Sequence, residues 1–115
     1  MKMIQAIIRP ERLMDVVEAL DREGIVALTR FGVFGRGKQK GLQVGEVFYD
    51  ELPKEMILIV VEEEKVQTAV DTILSFAKTG IEGVHGDGKI FVSDIERSIT
   101  ISDGMEMNSL REKEE

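Results

Sequence analysis

Residues 1–34 read MKMIQAIIRPERLMDVVEALDREGIVALTRFGVF. Met3 to Ile8 is a short apolar run with polar breaks and predicts a strand. Pro10 suits the first turn of a helix, where its missing N–H costs no hydrogen bond. Leu13, Val16, Val17 and Leu20 then recur at helical spacing with charges between them, the pattern of a helix with one buried face. Gly24 stands where a C′ glycine closes such a helix. Ile25 to Phe34 is rich in β-branched, aromatic and other apolar residues and predicts a second strand.

The same order recurs downstream. Met56 to Val61 is a near-continuous apolar strand, and Val47 to Tyr49 a shorter extended piece before it. After the acidic turn Glu62–Glu64, the residues Val66, Ala69, Val70, Ile73 and Ala77 form a second helical stripe. Ile90 to Val92 reads as a short buried strand, and Ile99 and Ile101 mark a last extended piece. Two similar strand–helix–strand halves give the order βαββαβ. The fold class is α+β, a ferredoxin-like split βαβ sandwich. One face of its sheet carries both helices. No third helix is available for the other face, so an apolar open face implies self-association, closed by symmetry into a ring. The domain spans residues 1–104, and residues 105–115 form a charged, mobile tail.

The 115 residues fit one domain and can bury a core without staples. Cysteine is absent, which excludes disulfides and thiolate metal sites and agrees with a reducing, cytoplasmic setting. The opening run is too short for a signal peptide, and no apolar run approaches the roughly 18 residues of a membrane span. Membrane insertion is therefore not expected. The net charge of −7 argues against nucleic-acid binding and favours solubility.

Two connections are unusually rich in glycine and charge. The first is Gly35-Arg36-Gly37-Lys38-Gln39-Lys40-Gly41. Its glycines let backbone N–H groups approach an anion, its lysines supply cationic donors, and Gln39 offers an amide oxygen to a hard cation. The plain alternative is a hairpin connection kept soluble by charge. It is not a P-loop, because no Gly-Lys-Ser/Thr ending follows. The second is Thr79-Gly80-Ile81-Glu82-Gly83-Val84-His85-Gly86-Asp87-Gly88-Lys89. Asp-Gly is a turn signal in its own right. Equally, Gly86–Lys89 offers a close backbone, a carboxylate acceptor for hydroxyls and a cation for phosphate. If the fold gathers both loops at one sheet edge, a small anionic ligand such as a nucleotide fits them. His85 is the single histidine and reads as an exposed loop residue. Glu62–Glu64 reads as a solvated helix start favoured by the helix dipole, with hard-cation binding as the alternative. No Ser or Cys nucleophile accompanies His85 and Asp87 in a recognisable pattern. An enzyme, such as a phosphatase using Arg9 or Arg36, has no supporting constellation, and the chain is expected not to be an enzyme.

At these residues the sequence resembles the PII signal-transduction family. The resemblance covers residues 1–104 and rests on Met1–Pro10, Gly37–Gly41, Asp50-Glu51-Leu52-Pro53-Lys54, Thr79-Gly80 and Gly86–Val92. A shortened central loop, with Leu42-Gln43-Val44-Gly45 after the basic run, is similar to the branch whose genes accompany nitrogenase. The resemblance implies a homotrimer, acting with a related second subunit, with ATP or ADP in clefts between subunits. The matching nucleotide residues are Ile7, Thr29, Gly35, Gly37, Lys38, Gln39, Val60, Gly86, Asp87, Gly88 and Lys89. It implies Mg²⁺ held by Gln39, the phosphates and 2-oxoglutarate, with Lys54 pairing a 2-oxoglutarate carboxylate. It further implies a mobile loop, Leu42–Glu46, as the surface that meets a protein partner. The expected partner is the dinitrogenase component, released by ligand, with an ammonium channel or an assimilation enzyme as the alternative. The sequence departs from the family at Thr100 and Ser102, which match phosphate-contacting arginines, with Arg97 and Arg111 nearby as substitutes. Lys38 replaces a frequent arginine, and Glu82–His85 falls in a lengthened loop. Val47 matches the modified tyrosine of some relatives, so that modification is not expected.

Overall fold

The computed structural model describes residues 1–36 and 51–107, and between them the backbone of Leu42–Val44 and Val47–Tyr49. Four strands make the main sheet: β1 (Lys2–Ile8), β2 (Thr29–Gly35), β5 (Leu52–Val61) and β6 (Gly88–Asp94). Two helices, α1 (Leu13–Arg22) and α2 (Val66–Ala77), connect them. The strand order is β2-β5-β1-β6, with every pairing antiparallel. This is the order of the ferredoxin-like plan. Two short ribbons are added: β3 (Leu42–Val44) with β4 (Val47–Tyr49), and β7 (Ser98–Ile99) with β8 (Glu106–Met107).

Alternation along each strand sends one set of side chains to the helices. Ile4, Ala6 and Ile8 of β1, with Ile57, Ile59 and Val61 of β5, meet Leu13, Val16 and Leu20 of α1 and Ala69, Ile73 and Ala77 of α2. Fully burying each branched side chain is worth about 1.5–3 kcal/mol, so this face supplies most of the packing energy. The opposite face carries Met3, Gln5 and Ile7, Met56, Leu58 and Val60, and Thr29, Phe31 and Val33 in register. Phe31 is 45% and Phe91 48% exposed there. Within one chain, the open apolar face expected from the sequence is present.

The elements differ from expectation where backbone hydrogen bonds are already spent. The second strand begins at Thr29, not Ile25. Gly24, at φ +81°, donates to Asp21, and Ile25 donates to Leu20 at 2.9 Å. That closes α1 with a Schellman motif and commits the Ile25 N–H to the helix, while its side chain is buried. Val47–Tyr49 forms a strand but pairs Leu42–Val44, not the main sheet. Ile90–Val92 lies in a strand, yet it is an edge strand, and Phe91 and Val92 are exposed rather than buried. Glu106–Met107 pairs back onto Ser98–Ile99, so the expected tail begins inside a hairpin whose tip is the 99% exposed Ile101.

Candidate functional site

Register gathers the site at one end of the sheet. Ile8, the last residue of β1, pairs Glu55 on one side and Gly88 on the other. The next residue, Arg9, therefore projects toward the turn that enters β6, and Lys54 reaches the same turn from β5. A Cβ added at Gly86 would lie 3.1 Å from Arg9 Nη2 and 3.6 Å from Lys54 Nζ. Gly35, at the end of β2, lies against Lys54, whose Cγ is 3.4 Å from the corresponding position. Gly88 has φ +117°, and a Cβ there would meet the Ile7 carbonyl oxygen at 1.7 Å. Only glycine lets the turn approach β1 this closely.

The Asp87 carboxylate organises the turn. It accepts from the Thr79 hydroxyl at 2.6 Å, the Thr79 amide at 3.0 Å, the Val84 amide at 2.9 Å and Arg9 Nε at 3.0 Å. The Asp87 amide donates in turn to the Val84 carbonyl at 3.1 Å. Burial pushes this carboxyl up, but the hydrogen bonds from Thr79, Val84 and Arg9 outweigh it and hold it well below the usual carboxylate range. Arg9 Nη2 also donates to the His85 carbonyl at 2.9 Å, and Lys54 Nζ donates to the Gly86 carbonyl. Burial lowers the Lys54 ammonium, and the neighbouring Arg9 charge lowers it further. The result is a glycine-rich backbone beside two cations, with the Asp87 carboxylate already supplied with donors. That arrangement suits an anion. A cavity of about 380 Å³ opens beside the turn, between α2 and β6, with Ile7, Gly88, Lys89 and Ile73 among its walls.

The expected site residues fall into three groups. Gly35, Lys54, Gly86, Asp87 and Gly88 come together at this sheet end, and Ile7 and Lys89 are cross-strand partners one row in. Thr29 and Val60 do not join them. Thr29 pairs Leu58 and Val60 pairs Met3, toward the other end of the open face. Thr29 is about 20 Å along β2 from Gly35 at the usual strand rise. Gly37, Lys38, Gln39, Gly45 and Glu46 lie outside the described residues, as does Arg111. Of Leu42, Gln43 and Val44 only the strand backbone is described. Thr100 and Ser102 sit in the exposed turn of the C-terminal hairpin. Arg97 is not a spare cation. Its guanidinium pairs with Glu106 through both Nε and Nη2, the latter at 3.2 Å, and is spent on that hairpin. Arg36 lies 3.7 Å from Glu51.

Thr79 and Arg9 are the side chains whose contacts at this turn pattern reading does not show. Both stand inside the quoted motif stretches; the Thr79 contact is made within its own loop, and the Arg9 contact depends on the register of β1 with β6. The Asp87 carboxylate, read from the sequence as an acceptor for ligand hydroxyls, accepts here from Thr79, Val84 and Arg9. His85 is exposed, and its contribution to the site is its carbonyl.

The described residues thus form an α+β domain with a ferredoxin-like sheet, an open apolar face and a glycine-rich cationic turn at one sheet end. Residues 1–105 match the nitrogen regulatory protein P-II family, and the chain belongs to it. Among its relatives is the nitrogen fixation nifHD region glnB-like protein 1 of Methanococcus maripaludis, 46% identical over 101 residues, covering 88% of this chain and 93% of that one. The nifHD1 region GlnB-like protein 1 of Methanosarcina barkeri is 49% identical over 104 residues, 90% and 96% of the two chains. Nitrogen regulatory protein P-II 1 of Escherichia coli is 48% identical over 110 residues, 92% and 96% of the two chains. Among the described residues, no helix is long and apolar enough to cross a membrane.

Proposed function

We propose that this chain is a PII-type sensor that binds ATP or ADP and, with MgATP, 2-oxoglutarate, and that it controls nitrogenase by ligand-released protein binding. The observation that carries the reading is the split of the nucleotide residues within one chain. The turn Gly86–Lys89 with Ile7 sits at one sheet end, and Thr29 with Val60 sits on the far part of the open face. A second copy packed on that face would bring the two groups together, and the exposed Phe31 and Phe91 give it apolar surface to bury. The proposed assembly is a homotrimer with ligand clefts between subunits, able to include a related second subunit.

In this reading the backbone of Gly86–Gly88, with Lys89 and Lys38, takes the phosphates. Gln39 would help hold Mg²⁺, which would supply Lewis-acid charge to the bound anions. Lys54 exchanges its Gly86 carbonyl for a carboxylate, a stronger partner because it is charged. The nifHD-region names of the relatives favour the dinitrogenase component as target, with Leu42–Glu46 as the meeting surface. The similar identity to the general Escherichia coli regulator supports the second reading, an ammonium channel or an assimilation enzyme.

Three measurements test this. Light scattering reads the assembly, and a monomer at micromolar concentration removes the intersubunit cleft. Calorimetric titration with 2-oxoglutarate gives heat only when ATP and Mg²⁺ are both present, and binding that survives EDTA refutes the shared site. A nitrogenase assay shows inhibition relieved by MgATP and 2-oxoglutarate, and no inhibition moves the target to the second reading.

A further inference from the structure

The segment between Thr79 and Gly88 contains an exposed protrusion, with Ile81 at 94% exposure, yet both of its ends are fixed. The Thr79 hydroxyl and amide, at its start, and the Val84 amide, within it, all converge on the Asp87 carboxylate at its close. Arg9 adds a fourth donor from β1's end. An ionised carboxylate has about four lone-pair sites. Four donors therefore leave little acceptor capacity toward a ligand hydroxyl. They do fix where the Gly86, Asp87 and Gly88 backbone points.

We propose that Thr79 and Arg9 are positioning residues for the phosphate-binding turn, acting through the Asp87 carboxylate, and that this carboxylate is not itself a ligand contact. The inference rests on the nucleotide reading above. It also accounts for the long loop. Because the clasp ties residue 79 to residue 87, the residues between project outward and the turn entering β6 keeps its place. What the loop carries at Ile81 is then independent of what the turn binds.

The test uses the full chain and two probes, MgATP and magnesium tripolyphosphate, the second having no sugar or base. Thr79→Val keeps the shape and the backbone donor but removes the hydroxyl. It should weaken both probes about tenfold, the scale of one hydrogen bond to a charged group. Thr79→Ser should restore both, which a purely steric role for Thr79 would not require. In the ligand-free chain, Thr79→Val should also speed amide exchange at Val84 and Asp87. Asp87→Asn is the second variant and decides the matter if Thr79→Val does not fold; it should weaken both probes. Unchanged affinity in the folded variants overturns the proposal. Loss of MgATP binding with tripolyphosphate binding intact also overturns it, and assigns Asp87 to the sugar hydroxyls. Wild type that binds neither probe overturns the nucleotide reading, and with it the role assigned to Thr79.

Discussion

The two ends of the main sheet each carry a cation–carboxylate pair joining β1 to β6, and the two pairs do different things. At one end Lys2 and Asp94 are direct cross-strand partners, with Glu63 3.8 Å from the Lys2 ammonium. The carboxylates there are largely in water, at 80% and 69% side-chain exposure. At the other end Arg9 meets an Asp87 side chain that is 18% exposed and already accepts from Thr79 and Val84. The first pair links two side chains that water would otherwise solvate. The second fixes a loop whose Thr79 and Val84 amides donate to this carboxylate, so its loss would take the acceptor from several donors at once. Salt-bridge type does not separate the two. The number of converging backbone donors and the share of water do.

The largest expected effect breaks the clasped end outright. Gly88→Ala places a Cβ against the Ile7 carbonyl, a backbone atom that cannot rotate away, at a φ that side chains rarely adopt. Strain of this kind costs about 1–3 kcal/mol before the displaced pairing of Ile8 with Gly88 is counted. We expect the urea midpoint to fall more for this variant than for any single ion-pair variant, at matched protomer concentration. A midpoint equal to wild type would mean that the turn does not approach β1 as closely as described.

Local pattern made most of the sandwich legible. The stripe from Leu13 to Leu20 and the one from Val66 to Ala77 became α1 and α2, because helical spacing and burial agree. Ile25 reads as strand in the sequence because its apolar character is the same whether it pairs in a sheet or packs under a helix end. The Schellman hydrogen bonds that decide it are not in the composition. Ile90–Val92 reads as buried in the sequence because an apolar run cannot say whether a strand is central or at an edge. At the site, Gly86–Lys89 was legible as a close-approach turn. Its controlling contacts were not. Thr79 lies 8 residues from Asp87, Lys54 32 residues from Gly86, and Arg9 78 residues from Asp87. The last two close only once the register of β1 with β5 and β6 is known, and the first only once the turn geometry of its own loop is.

The middle effect sharpens the comparison through pH. Asp87→Asn removes the charge that three neighbours share, and should cost about 2 kcal/mol near neutrality, the scale for hydrogen bonds to a charged group. The folded Asp87 carboxyl titrates below its unfolded range. Its contribution is therefore fully present above the unfolded value and is lost as pH falls from there toward the folded value. The stability gap between wild type and Asp87→Asn should be constant from neutrality down to about pH 4, the ordinary carboxylate value, and shrink below it. A gap that stays constant to lower pH, or widens, would contradict the clasp's electrostatic account.

The smallest effect belongs to the exposed end. The hydrogen bond to Asp94 raises the Lys2 ammonium, and the same bond lowers Asp94, so attraction exists. Attraction alone does not set stability. Both partners give up hydration, long side chains lose rotamer freedom, and salt screens what remains. Lys2→Met should therefore barely move the urea midpoint in dilute buffer and should not move it at 1 M salt, where the screening length is about 3 Å. The matching measurement is a double-mutant cycle with Asp94→Asn, run at both salt concentrations beside a cycle of Arg9→Met with Asp87→Asn. The Lys2–Asp94 coupling should vanish with salt, while the Arg9–Asp87 coupling keeps most of its value because its carboxylate is shielded from water and fixed by the Thr79 and Val84 amides. If the two couplings respond to salt alike, burial and backbone donors are not what separates the two ends of the sheet.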